Sequence, residues 1–140
     1  MKINRLLFLF LLISCFASSQ QKNLNCLDFS KGEFRNIDTN TGSISIIIRN
    51  GEKQLEISNG TESYKKVRWL DDCSYVLFFP SKEARKDKFK KFINENGGIT
   101  VTMERTDGKT LYYKTSYNDG KQIITSEGRL VKLSNKASFN

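Results

Sequence analysis

From Ile44 to Ser58 apolar and polar residues alternate around Asn50-Gly51 (ISIIIRNGEKQLEIS). Alternation with a period of two predicts strands, each with one buried face. Three further pairs, Asn59-Gly60, Asp107-Gly108 and Asp119-Gly120, also separate runs of this kind. Such pairs tolerate the positive φ angles of tight turns, so each predicts a hairpin. If Asn50-Gly51 is a two-residue turn, Arg49 faces Glu52, Ile46 faces Leu55 and Ile44 faces Ile57, which sets matched apolar pairs on the core side. Ser45, Ile47 and Arg49 then share a mostly polar outer face with Glu52, Gln54 and Glu56. Carried through Asn59-Gly60, the same rule pairs Leu55 with Tyr64 and leaves Val67 and Trp69 on the wrong side. A bulge between Tyr64 and Val67 would repair this; otherwise the register is wrong.

Glu33 to Asp38, Ser74 to Phe79, Ile99 to Arg105, Thr110 to Tyr117 and Gln122 to Leu133 are further β-rich runs. The chain is expected to be mainly β, an antiparallel meander of about eight strands forming a curled sheet or small lipocalin-like barrel. One segment breaks the pattern. Pro80 ends a strand, Ser81 can cap a helix, Ala84, Phe89, Phe92 and Ile93 keep a helical stripe, and Asn96-Gly97-Gly98 supplies a stop. Residues 82–95 are therefore expected to form one amphipathic helix, packed through that stripe on the sheet or over one mouth of the barrel.

The N-terminus follows a different plan. Lys2 and Arg5 precede the apolar run Leu6 to Ile13, and Ser14 to Gln20 is small and polar. These are the three parts of a secretory signal, and the apolar run is too short to be a permanent membrane span. Cleavage after Ser19 would suit an ordinary signal peptidase, giving a 1–19 signal peptide and a single β domain over residues 20–140. The alternative is a lipobox at Leu12-Ile13-Ser14-Cys15, a 1–14 signal and a lipidated Cys15 that anchors the protein. We favour the first, because Cys15 comes early for a lipoprotein signal. The expected location is periplasmic or extracellular, with no transmembrane segment in the mature chain.

Export changes the meaning of the cysteines. Of three in the chain, Cys26 and Cys73 remain as an even pair in an oxidising compartment, so a disulfide is the default expectation. The charge is also uneven. The chain carries 23 basic and 15 acidic residues, and loss of Lys2 and Arg5 lowers its net charge from +8 to +6. Lys82, Arg85, Lys86, Lys88, Lys90 and Lys91, offset by Glu83 and Asp87, supply +4 of that surplus. With the remainder near neutral, specific nucleic-acid binding is not expected. The basic run is a solvated helix face or a contact for an anionic envelope surface, an acidic glycan or an acidic protein.

The segments Cys26-Leu27-Asp28-Phe29-Ser30-Lys31-Gly32-Glu33-Phe34 and Val67-Arg68-Trp69-Leu70-Asp71-Asp72-Cys73-Ser74-Tyr75-Val76-Leu77 carry a resemblance. Together they read C-x-D-F-x-x-G-x-F and W-x-x-x-C-x-Y-x-L, with Arg49, Gln54 and Glu56 standing roughly where an R-x-G-x-x-Q-x-E-like element would lie between them. In this the chain resembles a family of small, mostly uncharacterised exported proteins of Bacteroidota, some of which bear the name DNA topoisomerase IV. That name does not suit an exported domain without the length or nucleotide machinery of a topoisomerase. The resemblance covers residues 26–79 and implies a fold and a compartment but no active site. Physically, the shared positions look like packing: Phe34, Trp69 and Tyr75 as core anchors, Gly32 at a tight approach, and the two cysteines pinning the N-terminal arm.

The chain has no histidine, which removes imidazole metal sites, Ser-His-Asp and Cys-His triads and the commonest general base. Asp71-Asp72, Glu56 and Glu104 could serve a carboxylate-dependent hydrolase, but sequence neighbours on a turn diverge and stay solvated. Asp38-Thr39-Asn40-Thr41-Gly42 lacks the later Gly and bidentate Glu of a calcium loop and reads as an Asx turn. No catalytic residue, metal or cofactor is expected. The first functional reading is a non-enzymatic, envelope-associated or secreted binding or structural module. The second is a carrier of a small apolar ligand, which needs a hollow barrel of roughly 300 Å³ or more. Seven phenylalanines after the signal favour a filled interior.

Overall fold

A computed structural model describes residues 25–139; the signal and Cys15 lie outside the described residues. Eight antiparallel strands follow one another around a closed barrel: β1 (Lys31–Asp38), β2 (Ile44–Asn50), β3 (Lys53–Ser58), β4 (Thr61–Asp71), β5 (Ser74–Phe78), β6 (Ile99–Asp107), β7 (Thr110–Asn118) and β8 (Ile123–Ser134). Pairing of β8 with β1, Phe34 opposite Lys132 and Ile37 opposite Arg129, completes the ring. A 3₁₀ turn, Cys26–Phe29, precedes β1. Two short helices, α1 (Ser81–Ala84) and α2 (Lys88–Glu95), lie between β5 and β6 at the opposite end.

The Asn59-Gly60 hairpin forms as expected, with Ser58 opposite Thr61, Leu55 opposite Tyr64, and both turn residues at positive φ (50° and 76°). At Asn50-Gly51 the register differs by two residues: Arg49 pairs with Gln54, and Ile46 with Ile57. Asn50 Oδ1 accepts from Lys53 N at 2.9 Å, so the side chain holds a wider turn than the two-residue one expected.

A shift of two preserves which residues share a face, yet that face is the reverse of the one expected. Ser45, Ile47, Arg49 and Gln54 are buried inside the barrel, while Ile44 is 58% exposed and Ile46 and Ile57 are half-buried on the outside. Leu55 is buried on the outer side, between its neighbours Ile48 and Tyr64. The reason is the partners that other strands bring. Val67, Tyr75 and Leu77 face inward on the same side as Arg49, so the apparent conflict at Val67 and Trp69 disappears with no bulge between Tyr64 and Val67. The β4 irregularity falls between Trp69 and Asp71 instead.

One end of the barrel is plugged. Phe29 of the 3₁₀ turn stacks on Phe34 at 5.9 Å between centroids, and Cys26 is bridged to Cys73 with Cα atoms 5.1 Å apart. Trp69 is only partly buried; it tilts against Tyr75 at 4.8 Å and its Nε1–H donates to Gly51 O at 2.7 Å. Gly32, at φ 139°, passes so close to Ser134 O that a Cβ would strike it.

Residues 82–95 do not form one helix. Asp87 is extended (φ −129°, ψ 115°), and its carboxylate accepts from Phe89 N at 2.8 Å and Lys90 N at 3.1 Å, so it ends the first turn and caps a second helix. Ser81 is the first residue of α1 rather than its cap, a place taken by Pro80. Ala84 and Ile93 are buried, but Phe89, expected in the packing stripe, is 53% exposed and meets Tyr117 edge-on. Asn94 fixes α2 to the end of β5 by bonding both Phe79 N (2.9 Å) and Phe79 O (2.8 Å).

Candidate functional site

The half of the barrel away from the plug holds a cavity of about 260 Å³ that opens to solvent. Its walls mix apolar side chains, Ile47, Leu77, Ile99, Val101 and Leu130, with polar ones from all around the ring, including Gln54, Glu56, Lys65, Tyr75 and Tyr113. The expectation of an interior filled by phenylalanine holds for the plugged half, where Phe29 and Phe34 sit, and fails for the other. Polar groups are inside because each finds a hydrogen-bond partner on another strand, adjacent or across the barrel. Glu56 accepts from Ser45 Oγ at 2.8 Å and from Lys65 Nζ at 3.2 Å; Asn36 donates to Ser45 Oγ at 3.1 Å.

At the floor lies Arg49, with no exposed surface. Its Nε and Nη2 donate to Gln54 Oε1 at 3.0 and 2.7 Å, Nη1 to Phe29 O at 2.9 Å, and Nη2 also to Tyr75 Oη at 2.5 Å. The guanidinium carbon stands 4.4 Å from the Tyr75 ring centroid and 5.6 Å from that of Phe34. Among the described residues no carboxylate lies within ion-pair distance of it. Burial pushes the Tyr75 phenol above its ordinary pKa, against the opposing pull of Arg49. Tyr113, also raised by burial, donates to Asn36 Oδ1 at 2.6 Å.

The structure brings together some of the residues singled out in the sequence and separates others. Cys26 and Cys73 are joined. Arg49, Gln54 and Glu56, which the hairpin reading put on an outer face, converge inside the barrel; their place in the family-like pattern was one of two sequence signals for them. Val67 and Trp69 on the same side were the other. Glu104 lies at the outer end of an ion pair with Lys114, and Asp71 caps the β4–β5 turn through Cys73 N and Ser74 Oγ, so the candidate carboxylates do not share a site. Bonds from Ser74 Oγ and Cys73 N hold the Asp71 carboxyl below its ordinary pKa. Asp38 forms the Asx turn expected, accepting from Asn40 N and Thr41 N, both at 2.8 Å, and the Thr41 N–H lowers its pKa.

The basic residues do not make one continuous face. Lys90 is half-buried, bound to Glu83 at 2.8 Å and over the Phe79 ring, and Lys91 is 3.8 Å from Glu95. Lys82, Arg85, Lys86 and Lys88 are exposed, with no carboxylate partner among the described residues.

Compared with models of known protein families, with curated proteins and with solved structures, the chain finds no match. The class is therefore defined by the molecule itself: an eight-stranded antiparallel barrel, sealed at one end by a disulfide-pinned turn and hollow toward the other.

Proposed function

We propose that the protein is an exported, non-enzymatic binding module that holds a small ligand inside its barrel. The observation that carries this reading is the cavity, walled by polar and apolar side chains on a closed ring of strands; at about 260 Å³ it falls short of the roughly 300 Å³ set for a carrier of an apolar ligand and suits a smaller guest. The mixed lining favours a small amphipathic guest over the purely apolar one of the alternative carrier reading. A binder rather than an enzyme is supported by the absence of histidine and by carboxylates that point to different places. The disulfide supports an oxidising compartment, as does the likeness to exported Bacteroidota proteins, and no described helix is long and apolar enough to cross a membrane.

The test is an NMR screen of the purified protein against small acids, alcohols and amines. Shifts should cluster at Ile47, Gln54, Tyr75, Val101 and Tyr113, and Val101→Phe, which narrows the cavity, should abolish them. A screen in which no compound moves these resonances rejects the reading. A second reading, contact with an anionic envelope surface, is favoured by the four exposed, unpaired cations of residues 82–88.

A further inference from the structure

Arginine is a donor only, and this dictates how its neighbours are turned. Since Arg49 Nε and Nη2 both donate to Gln54 Oε1, the amide cannot be flipped, and its Nε2 with two N–H donors must face the other way. Since Nη2 also donates to Tyr75 Oη, that oxygen is an acceptor toward Arg49 and its own proton must point elsewhere. Neither Gln54 Nε2 nor Tyr75 O–H donates to another described residue. Both side chains are 2% exposed and both line the cavity. No fully enclosed side-chain nitrogen or oxygen among the described residues lacks a partner, so Gln54 Nε2 reaches open space, and the cavity is the space beside it.

We propose that these two donors, held by Arg49, form a subsite for the carboxylate of a small amphipathic acid. The proposal rests on the cavity being a ligand site and names the class of ligand. Charge decides for an anion over a neutral carbonyl. Arg49 is a buried cation without a counterion, an arrangement that costs free energy unless an anion comes near; the Phe34 and Tyr75 rings offset part of it. The acids already lining the cavity are committed elsewhere. Glu56 holds Lys65 and Ser45, and Asp38, at the rim, holds Asn40 N, Thr41 N and Ser126 Oγ. A guest carboxylate on Tyr75 and Gln54 would be one side chain away from the guanidinium, and its apolar part would lie against Leu77, Ile99 and Val101. At about 30 Å³ per water, 260 Å³ holds the equivalent of roughly nine waters, room for a short acid within the cavity.

The probes are hexanoate and its neutral counterpart 1-hexanol, titrated into the purified protein and followed by calorimetry and by the Gln54 side-chain NH₂ resonances. Hexanoate should bind at least about tenfold more tightly than hexanol, as one or two charge-assisted hydrogen bonds imply. Tyr75→Phe should remove most of that preference while leaving hexanol unchanged. Gln54→Glu gives Arg49 a carboxylate and so keeps or raises the melting temperature, yet it replaces the Gln54 N–H donors with negative charge beside the Tyr75 hydroxyl and should abolish hexanoate binding. If both probes bind in the cavity with equal affinity, or if Gln54→Glu binds hexanoate as before, the carboxylate subsite is wrong and the ligand cavity stands. If neither probe moves any cavity resonance, the carboxylate subsite is wrong, and if no acid, alcohol or amine of the wider screen does so either, the ligand cavity is wrong too.

Discussion

Gly128 stands directly opposite Tyr113 across the β7–β8 ladder, and the Tyr113 phenol fills the space that a Cβ at 128 would need. The tyrosine can therefore lie along the barrel wall, cross β8 at Gly128 and reach Asn36 on β1. Gly128→Ala should force the ring away, at a cost of about 1–3 kcal/mol, the usual range for overpacking. Urea denaturation would measure it, and a loss under about 0.5 kcal/mol would show that the wall can give.

The bridge between Cys26 and Cys73 spans 47 residues of sequence, and on the loop-entropy account its reduction should cost about 4 kcal/mol. Urea melts with and without reductant, with intact mass confirming the thiol count, provide the check. Superimposable melts of oxidised and fully reduced protein would show that the 3₁₀ plug holds without it.

Trp69→Ala should cost about 2–4 kcal/mol, somewhat less than a fully buried aromatic, because the indole is partly exposed but stacks on Tyr75 and holds Gly51 O. A loss below about 1 kcal/mol would mean the indole contributes little to closing that end, and would shift attention to it as a contact residue.

Stability should be insensitive to Tyr75 and Tyr113 at neutral pH and fall in strong alkali. Both folded-state values are raised by burial above the unfolded value of about 10. Their contribution is thus intact below pH about 10 and is lost as the pH climbs from there toward the folded values, because the unfolded chain ionises first. Urea midpoints measured across pH 8 to 12 should show this fall, and Tyr113→Phe should make it shallower. A midpoint independent of pH over that range would contradict the burial of both phenols.

In the basic segment, Lys86 and Lys88 are the positions to change, since Lys90 is tied to Glu83. Lys86→Glu with Lys88→Glu should leave the melting temperature within a degree or two and weaken association with phosphatidylglycerol vesicles several-fold. Binding by the parent should itself fade with salt, as screening within about 8 Å at physiological ionic strength requires. Equal binding by parent and variant would return the segment to a solvated cover.

The strands and turns were legible because period-two alternation and Asn-Gly or Asp-Gly pairs are local signals. Which face lies inside is not local. Ile44, Ile46 and Ile57 look like core when the hairpin is read alone, and only partners more than a hairpin away, Tyr75 for Arg49 and Phe29 O beneath it, make the polar face the inner one. Val67 and Trp69 carried the correct answer as an apparent conflict. The cavity was illegible for a related reason: it is left where side chains from all around the ring fail to meet, and no window of sequence contains that. The break at Asp87 was legible in principle, since an aspartate followed by Lys88-Phe89-Lys90 can cap a new helix as readily as continue an old one.

Closure through β1 and β8 makes the last strand responsible for the first. Until β8 is in place, the chain presents two raw sheet edges, one on β1 and one on β7, each able to recruit a foreign strand. The pairing that removes both is also among the most distant in the chain, Ile37 with Arg129, and so among the slowest to be found. The bridge from Cys26 to Cys73 needs no residue beyond β5, so the N-terminal half can be tethered while the C-terminal half is still being made. A chain truncated before Ile123 would thus be more than a weaker barrel: it would be an open template with both margins exposed.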